Sequence, residues 1–173
     1  MNKKRSAGFT LLEIIVAVSI VTILVTISIP LFSHAKARAH KAACISHLRA
    51  FHGAFSSAIQ DQGHWPQPPL DEGEWDENKY FRWWIAEMEK YGVGENMWRC
   101  PGDKAAIEFE QKVSREKFFT GSYVPSNFDD SSTAPFRYNQ PWVLERGTNH
   151  GRGSHVLMPD GSVSERSNPF AGR

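Results

Sequence analysis

The stretch Phe9–Ile29 reads FTLLEIIVAVSIVTILVTISI, and this run of 21 residues decides the fold. It carries a single charged side chain, Glu13. About 20 consecutive apolar residues are enough for a helix to span the hydrocarbon core of a bilayer. Three basic residues, Lys3, Lys4 and Arg5, precede the run and should stay on the cytoplasmic side, which places the rest of the chain outside. The sequence therefore predicts a membrane-spanning helix followed by an exported head.

Glu13 is the residue that an ordinary signal or a plain anchor does not explain. A carboxylate at the bilayer centre costs about 2.5–3.5 kcal/mol on insertion scales. Glu13 lies only ~6 Å deeper than Phe9 along a helix, so its cost is smaller and it can reach the cytoplasmic interface, but a dedicated partner explains it better. The apolar run is long for a secretory signal, and no small-x-small cleavage site follows it before Pro30. Cleavage between Gly8 and Phe9 would create an α-ammonium group that Glu13 of a neighbouring, axially shifted chain could reach. Such an ion pair would set the stagger of a helical bundle.

The residues around this junction resemble a known processing signal. Lys3–Gly8, KKRSAG, followed by FTLLEIIVA from Phe9, resembles the class III signal of type IV pilins and type II secretion pseudopilins. The resemblance implies cleavage after Gly8 by prepilin peptidase, N-methylation of Phe9, a role for Glu13 in assembly and a helix kink at Pro30. It also implies four kinds of partner: pilin-like subunits including copies of this chain, prepilin peptidase, the inner-membrane assembly platform and membrane lipid.

Beyond Pro30 the sequence stays compatible with a helix as far as about Asp61. Apolar residues recur there at three- and four-residue steps, which predicts an amphipathic helix with one face toward a core. These positions are Ala35, Ala39, Ala42, Ile45, Leu48, Phe51, Phe55 and Ile59. The Pro- and Gly-rich connector Gly63–Gly73 then ends the helix.

The head that follows is predicted to contain a second helix and a small sheet. Asp76 is suited to cap a helix over Glu77–Tyr91, and Lys104–Lys117 is compatible with a surface helix. Strand patterns occupy residues 121–125, 138–145, 155–158 and 162–165, the last two joined by a turn at Pro159-Asp160-Gly161. The prediction is a pilin-like α+β fold with a leader at 1–8, a transmembrane and assembly helix at 9–30, its amphipathic continuation at 31–62 and a globular head at 63–173.

Two cysteines, Cys44 and Cys100, lie on the side that would be exported. An even pair in an oxidising compartment favours a disulfide, here one between the helix and the head. A metal site is the alternative, because His40, Cys44 and His47 share one helical face and Cys100 could complete the set.

The neighbourhoods of the cysteines and the tail carry a narrower resemblance. Residues 44–49 (CISHLR) and 98–103 (WRCPGD) are similar to segments of a subgroup of prepilin-like proteins. The tail is also similar to that subgroup, because His150 is followed after nine residues by Asp160 and Gly161.

The head offers further candidate sites. His150 and Asp160 could pair across the hairpin or help to hold a cation, although Asp160-Gly161 is also an ordinary turn. Major secretion pseudopilins bind calcium in the head, and Asp129, Asp130 and Asp160 are the oxygen ligands available for it; no other cofactor is expected. The tryptophans could fill the core or form an adhesive, sugar-stacking surface. They are Trp65, Trp75, Trp83, Trp84, Trp98 and Trp142.

Charge and motifs exclude two classes of protein. Without the three basic leader residues, the chain has 17 basic and 19 acidic side chains and no concentrated basic face, so no nucleic-acid partner is expected. No nucleophile-elbow motif, Gly-rich phosphate loop or metalloprotease signature is present, so no enzyme is expected.

The sequence therefore favours a pseudopilin-like structural subunit of a type II secretion or related system. We expect one pass through the bacterial inner membrane with the head in the periplasm, and then a place in a periplasmic or cell-surface filament. Two alternatives stay open: a type IV pilus subunit for adhesion, motility or DNA uptake, and a membrane-anchored binding protein that does not polymerise.

Overall fold

The computed structural model describes residues 10–69, 76–112, 119, 121–137, 140–150 and 153–166. The chain divides into two compact units, Met1–Arg38 and Ala39–Arg173. Its first element, helix α1 (Leu11–Gln62), contributes to both units. The described part of the first unit is helical from Leu11 onward.

The part of α1 in the second unit buries one face. Cys44, Leu48, Phe51, Phe55 and Ala58 are almost fully buried, at the three- and four-residue steps of a helical stripe. The predicted stripe began too early, because Ala35, Ala39 and Ala42 are exposed and the buried face starts at Cys44. The helix ends at Gly63, whose φ of 79° lets its N–H bond the carbonyl of Ile59.

Three α-helices and one 3-10 helix follow α1 in the described part of the head. Helix α2 (Glu77–Glu89) begins as predicted at Asp76, whose carboxylate accepts the N–H of Lys79 at 2.6 Å. A 3-10 helix (Glu95–Trp98) leads to Cys100, and α3 (Lys104–Lys112) follows, while residues 113–117 of the predicted surface helix lie outside the described residues. The fourth α-helix, α4 (Ala134–Arg137), is a single turn.

The sheet has four antiparallel strands in the order β1-β2-β3-β4. They are β1 (Tyr123–Pro125), β2 (Val143–Glu145), β3 (Ser154–Leu157) and β4 (Val163–Arg166). Strand β2 is shorter than predicted and begins at Val143; residues 138–139 of the predicted strand lie outside the described residues. The predicted α+β architecture, a long N-terminal helix and a small antiparallel sheet, is confirmed.

The core of the head is aromatic and joins α1 to the sheet. The ring of Phe55 stacks on Trp65 at 4.4 Å between centroids and contacts Trp142 edge-on. Phe51 likewise contacts Tyr123 of β1. Trp65, Trp84, Trp98 and Trp142 are almost fully buried, which agrees with a structural role, whereas Trp83 is half-buried and Trp75 lies outside the described residues. Aromatic packing therefore fixes the helix against the elements that carry the head's polar groups.

Candidate functional site

The apolar half of α1 is the first candidate site. Its large apolar side chains from Leu11 to Phe32 are between 49% and 78% exposed. Among the described residues, α1 is the one helix long and apolar enough to cross a membrane, judged by length and composition. A continuous apolar surface of this size is unstable in water and marks a membrane or protein contact.

The few polar side chains in this segment bond to their own helix. The hydroxyl groups of Ser19, Thr22 and Ser28 donate to carbonyl oxygens four residues earlier, at 2.7–2.8 Å. Thr26 donates to the carbonyl of Ile23 at 2.8 Å. An apolar medium provides no water to satisfy such groups, so internal bonding lowers the cost of placing them there.

Glu13 has a local partner that the sequence reasoning missed. The N–H of Glu13 donates to Oγ1 of Thr10 at 3.3 Å, and the N–H of Thr10 faces Oε2 of Glu13 at 3.4 Å. This is a capping box, which the pattern Thr-x-x-Glu at the start of an apolar run could have indicated. The carboxylate is exposed, so the box leaves it accessible to a second partner.

The structure describes only one of the three other residues predicted for this segment, and of that residue only the backbone. Gly8 and Phe9, the predicted cleavage and methylation positions, lie outside the described residues. The backbone of Pro30 lies within α1, and the kink assigned to it stays a prediction.

The cysteine pair forms the centre of a second site. Cys44 of α1 and Cys100 of the loop before α3 are joined by a disulfide with a Cα–Cα distance of 5.5 Å, so this pairing agrees with the prediction. Both residues are almost fully buried. The bond therefore clamps the helix to the head from inside the core.

His150, in the turn between β2 and β3, lies directly against this disulfide. Its Nε2 atom is 2.7 Å from Sγ of Cys100 and 2.9 Å from Sγ of Cys44. Oε1 of Glu145, at the end of β2, is 3.7 Å from the same nitrogen. Burial lowers the pKa of His150, and the negative charge of Glu145 opposes this shift.

Glu145 is held in place by the neighbouring strand. Its Oε2 atom accepts the backbone N–H of His155 at 3.0 Å and lies 2.6 Å from Nδ1 of the same residue. Asn149 donates to Oε1 at 3.3 Å. Sulfur, imidazole and carboxylate atoms of Cys44, Cys100, Glu145 and His150 thus lie within 4.8 Å of one another. We call these four residues the Cys-His-Glu cluster.

The structure changes the set of residues for the metal site that the sequence suggested as the alternative to a disulfide. His40 and His47 are not in the convergent group, and His150 and Glu145 approach the cysteines instead. His47 packs edge-on against Tyr123, with 6.3 Å between ring centroids, and burial lowers its pKa. Helical spacing alone could not show this, because the approaching side chains come from the end of β2 and from the β2–β3 turn.

The residues predicted from the tail and the acidic loop lie elsewhere. His150 and Asp160 are not brought together: Asp160 lies in the β3–β4 turn, where its carboxylate accepts the N–H of Ser162 at 2.9 Å and its pKa is lowered by hydrogen bonding to Ser162. Gly161 has a φ of 79° in that turn, as the turn signal indicated. Asp129 and Asp130 are exposed, and calcium binding there stays a prediction.

Sequence reasoning missed Glu145 and His155 as site residues. A signal existed at Glu145, because β2 alternates so that Val143 and Glu145 face inward while Leu144 is only half-buried. A charged side chain at an inward position of a strand indicates a buried partner. The partner itself could not be named, because the spacing between strands does not reveal which residues pair.

Fold and site together define the class of the protein. A long apolar N-terminal helix followed by a small four-stranded antiparallel sheet is a pilin-like α+β arrangement. Residues 3–29 match the family model of the prokaryotic N-terminal methylation motif. This match supports a type IV pilin-like protein of the pilin and pseudopilin superfamily that prepilin peptidase processes. No curated protein and no solved structure matches the chain, and the His-x9-Asp-Gly subgroup stays a prediction.

Proposed function

We propose that this chain is a pseudopilin-like structural subunit of a type II secretion or related system, with no catalytic role. After removal of the leader it would pass from the inner membrane into a short periplasmic filament. The observation that carries the proposal is Glu13, the single carboxylate in the apolar, exposed first half of α1, where the residues that match the methylation motif lie.

The apolar surface of α1 supports assembly through this helix. Lipid can cover this surface while the subunit is in the membrane, and the same surface of neighbouring subunits can cover it in a filament. Van der Waals packing between such helices does not by itself choose one axial register. A charged pair between Glu13 and the α-ammonium of a neighbouring Phe9 would choose it, because every other stagger leaves a carboxylate without its partner in an apolar medium.

The tail gives the preference for a secretion pseudopilin over a pilus subunit. His150 is followed after nine residues by Asp160 and Gly161, which resembles a subgroup associated with secretion-type prepilins. The head would face the periplasm, and the assembly platform of the inner membrane would be its partner during filament growth.

The test separates the charge of Glu13 from its capping role. Glu13→Gln keeps a residue able to complete the capping box but removes the charge, whereas Thr10→Val removes the capping hydroxyl and keeps the charge. We expect Glu13→Gln to be cleaved but to drop out of filaments, and Thr10→Val to be cleaved and still incorporated. Leader cleavage is read by mass spectrometry, and incorporation by cross-linking in the producing bacterium.

Several outcomes would contradict the proposal. Normal incorporation of Glu13→Gln would remove the assembly role of the charge, and equal loss in both variants would assign Glu13 to helix capping. Wild-type chains that are never cross-linked would indicate a membrane-anchored binding protein. Recovery of the chain in filaments sheared from the cell surface would favour a type IV pilus, whereas protection from protease added to intact cells would support the periplasmic filament.

A further inference from the structure

The Cys-His-Glu cluster contains two potential metal-ligating groups, an imidazole and a carboxylate, that a structural disulfide does not require. A disulfide needs two sulfur atoms, yet His150 and Glu145 both turn a ligand-type atom toward them. Nε2 of His150 approaches both sulfurs within 2.9 Å, although sulfur is larger than the oxygen acceptors that N–H groups usually meet at this distance. Glu145 is a buried carboxylate 3.7 Å from that nitrogen. Four potential ligand atoms from four separate segments therefore lie within 4.8 Å of one another.

The four ligand types are those of a zinc site. Zinc binds thiolate at about 2.3 Å and imidazole or carboxylate at about 2.0–2.2 Å in a tetrahedron. At these lengths the ligand atoms are separated from each other by roughly 3.3–3.8 Å. The atoms of the cluster lie within 4.8 Å of one another, so small movements of the side chains would suffice. Two soft thiolates favour zinc-class ions over calcium or magnesium.

The surroundings of the cluster hold the proposed ligands in place. Oε2 of Glu145 bonds His155 through both the ring and the backbone N–H, while Oε1 accepts a 3.3 Å hydrogen bond from Asn149 and lies 3.7 Å from Nε2 of His150. The N–H of Gly102 faces Sγ of Cys100 at 3.4 Å. Partners of this kind orient metal ligands and affect metal affinity strongly.

We propose that, when Cys44 and Cys100 are reduced, their sulfur atoms, Nε2 of His150 and Oε1 of Glu145 bind one zinc-class divalent cation. The clamp between α1 and the head would then have two forms, a disulfide and a metal site. A dithiol reductant passes two electrons to the S–S bond and becomes a disulfide itself, while Cys44 and Cys100 become thiols. Zinc then displaces the two thiol protons into solution. This inference does not depend on which filament the chain builds.

The experiment uses the full-length chain in detergent, reduced with a phosphine and titrated with Co²⁺ as a coloured substitute for zinc. We expect one Co²⁺ per chain, with thiolate-to-cobalt charge-transfer bands and the intense visible bands of tetrahedral cobalt. The oxidised chain should not produce this spectrum. His150→Ala and Glu145→Gln should each weaken binding by about 10-fold or more, as losses around metal sites do.

His40→Ala and His47→Ala are the matched controls, because they remove the histidines on the helical face of Cys44. Both should bind Co²⁺ as tightly as the wild type. The proposal is overturned if the reduced wild type does not bind, if the oxidised chain binds equally well, or if His40→Ala or His47→Ala loses binding while His150→Ala retains it.

A second measurement needs no variant and covers the case in which a substituted chain fails to fold. X-ray absorption of the zinc-loaded wild type should show two sulfur ligands at about 2.3 Å and two nitrogen or oxygen ligands at about 2.0–2.2 Å. A set of zinc ligands without sulfur, or with a single sulfur, would exclude the two-cysteine site.

Discussion

Oε2 of Glu145 lies 2.6 Å from Nδ1 of His155, and the pair joins β2 to β3 inside the head. Both side chains are at most 3% exposed. A buried carboxylate is tolerated because it is bonded, and here His155 supplies both a ring nitrogen and a backbone N–H. The pair therefore positions the carboxylate beside the cysteines, and its contribution to the free energy of unfolding can be measured.

Removing one member of this pair should destabilise the head strongly. In His155→Leu the carboxylate loses its ring partner while it stays buried, and we expect a loss of about 3 kcal/mol in the free energy of unfolding. Glu145→Leu/His155→Leu removes both groups and should recover most of that loss. Urea unfolding of the oxidised chain in detergent, followed by tryptophan fluorescence, measures both values. A double variant whose loss equals the sum of the losses in His155→Leu and in the single variant Glu145→Leu would contradict the coupling.

Gly102 makes room for His150, and a methyl group there should disturb the cluster. A Cβ at Gly102 would overlap Cε1 of His150 and lie 3.1 Å from its Nδ1. We expect Gly102→Ala to lower the free energy of unfolding of the oxidised chain by about 1–3 kcal/mol, the usual cost of overpacking. Thermal unfolding by circular dichroism measures it.

Gly53→Ala is the matched control for Gly102→Ala. Gly53 lies on the exposed face of α1 with nothing within 4 Å of a Cβ. The same substitution should therefore stabilise the helix there, by about 0.5–1 kcal/mol. Two variants with equal effects would show that His150 does not need the space beside Gly102.

The first helix and the hairpin could be predicted from the sequence because their signals are local. The Pro-Asp-Gly turn, the cap at Asp76 and the helix end at Gly63 each act within a few residues, and the apolar run is one continuous segment. The Thr-x-x-Glu start is equally local, although it was missed. The stripe on α1 was predicted only in part. The steps of three and four residues were right, but where the stripe begins depends on where the head meets the helix.

The Cys-His-Glu cluster could not be assembled from the sequence. Its members come from α1, the loop before α3, the end of β2 and the β2–β3 turn, and Cys44 is 106 residues from His150. Helical periodicity predicted His40 and His47 as the neighbours of Cys44, because it describes only residues of the same helix. The register of β2 against β3 brings Glu145 and His155 together, and no short-range pattern specifies that register.

The stability of the head should fall as the solution becomes mildly acidic. Burial lowers the pKa of His47, with a backbone hydrogen bond to Arg99 opposing, and burial lowers that of His150 as well. The unfolded chain, with histidine pKa values of about 6.5, then binds protons more readily than the folded one. The free energy of unfolding is therefore highest above about pH 6.5 and falls as the pH drops toward the folded-state values.

Urea unfolding at a series of pH values measures this dependence. Below about pH 6.5, His47→Gln should make the free energy of unfolding fall less steeply with decreasing pH than it does in the wild type. The pH dependence that His150 contributes should remain. A slope identical to that of the wild type would mean that burial of His47 does not contribute to the pH dependence.

The disulfide should account for a large share of the stability of the oxidised head. It joins residues 56 positions apart, and closing a loop of that length stabilises by roughly 4 kcal/mol in the chain-entropy model. Cys44→Ser/Cys100→Ser should lose about this amount in urea unfolding, with a metal chelator present in all samples so that no ion replaces the bond. The single variant Cys44→Ser should migrate differently from the wild type on a non-reducing gel and identically after reduction. Unchanged mobility without reductant, together with unchanged unfolding, would show that the two cysteines are not joined in the purified protein.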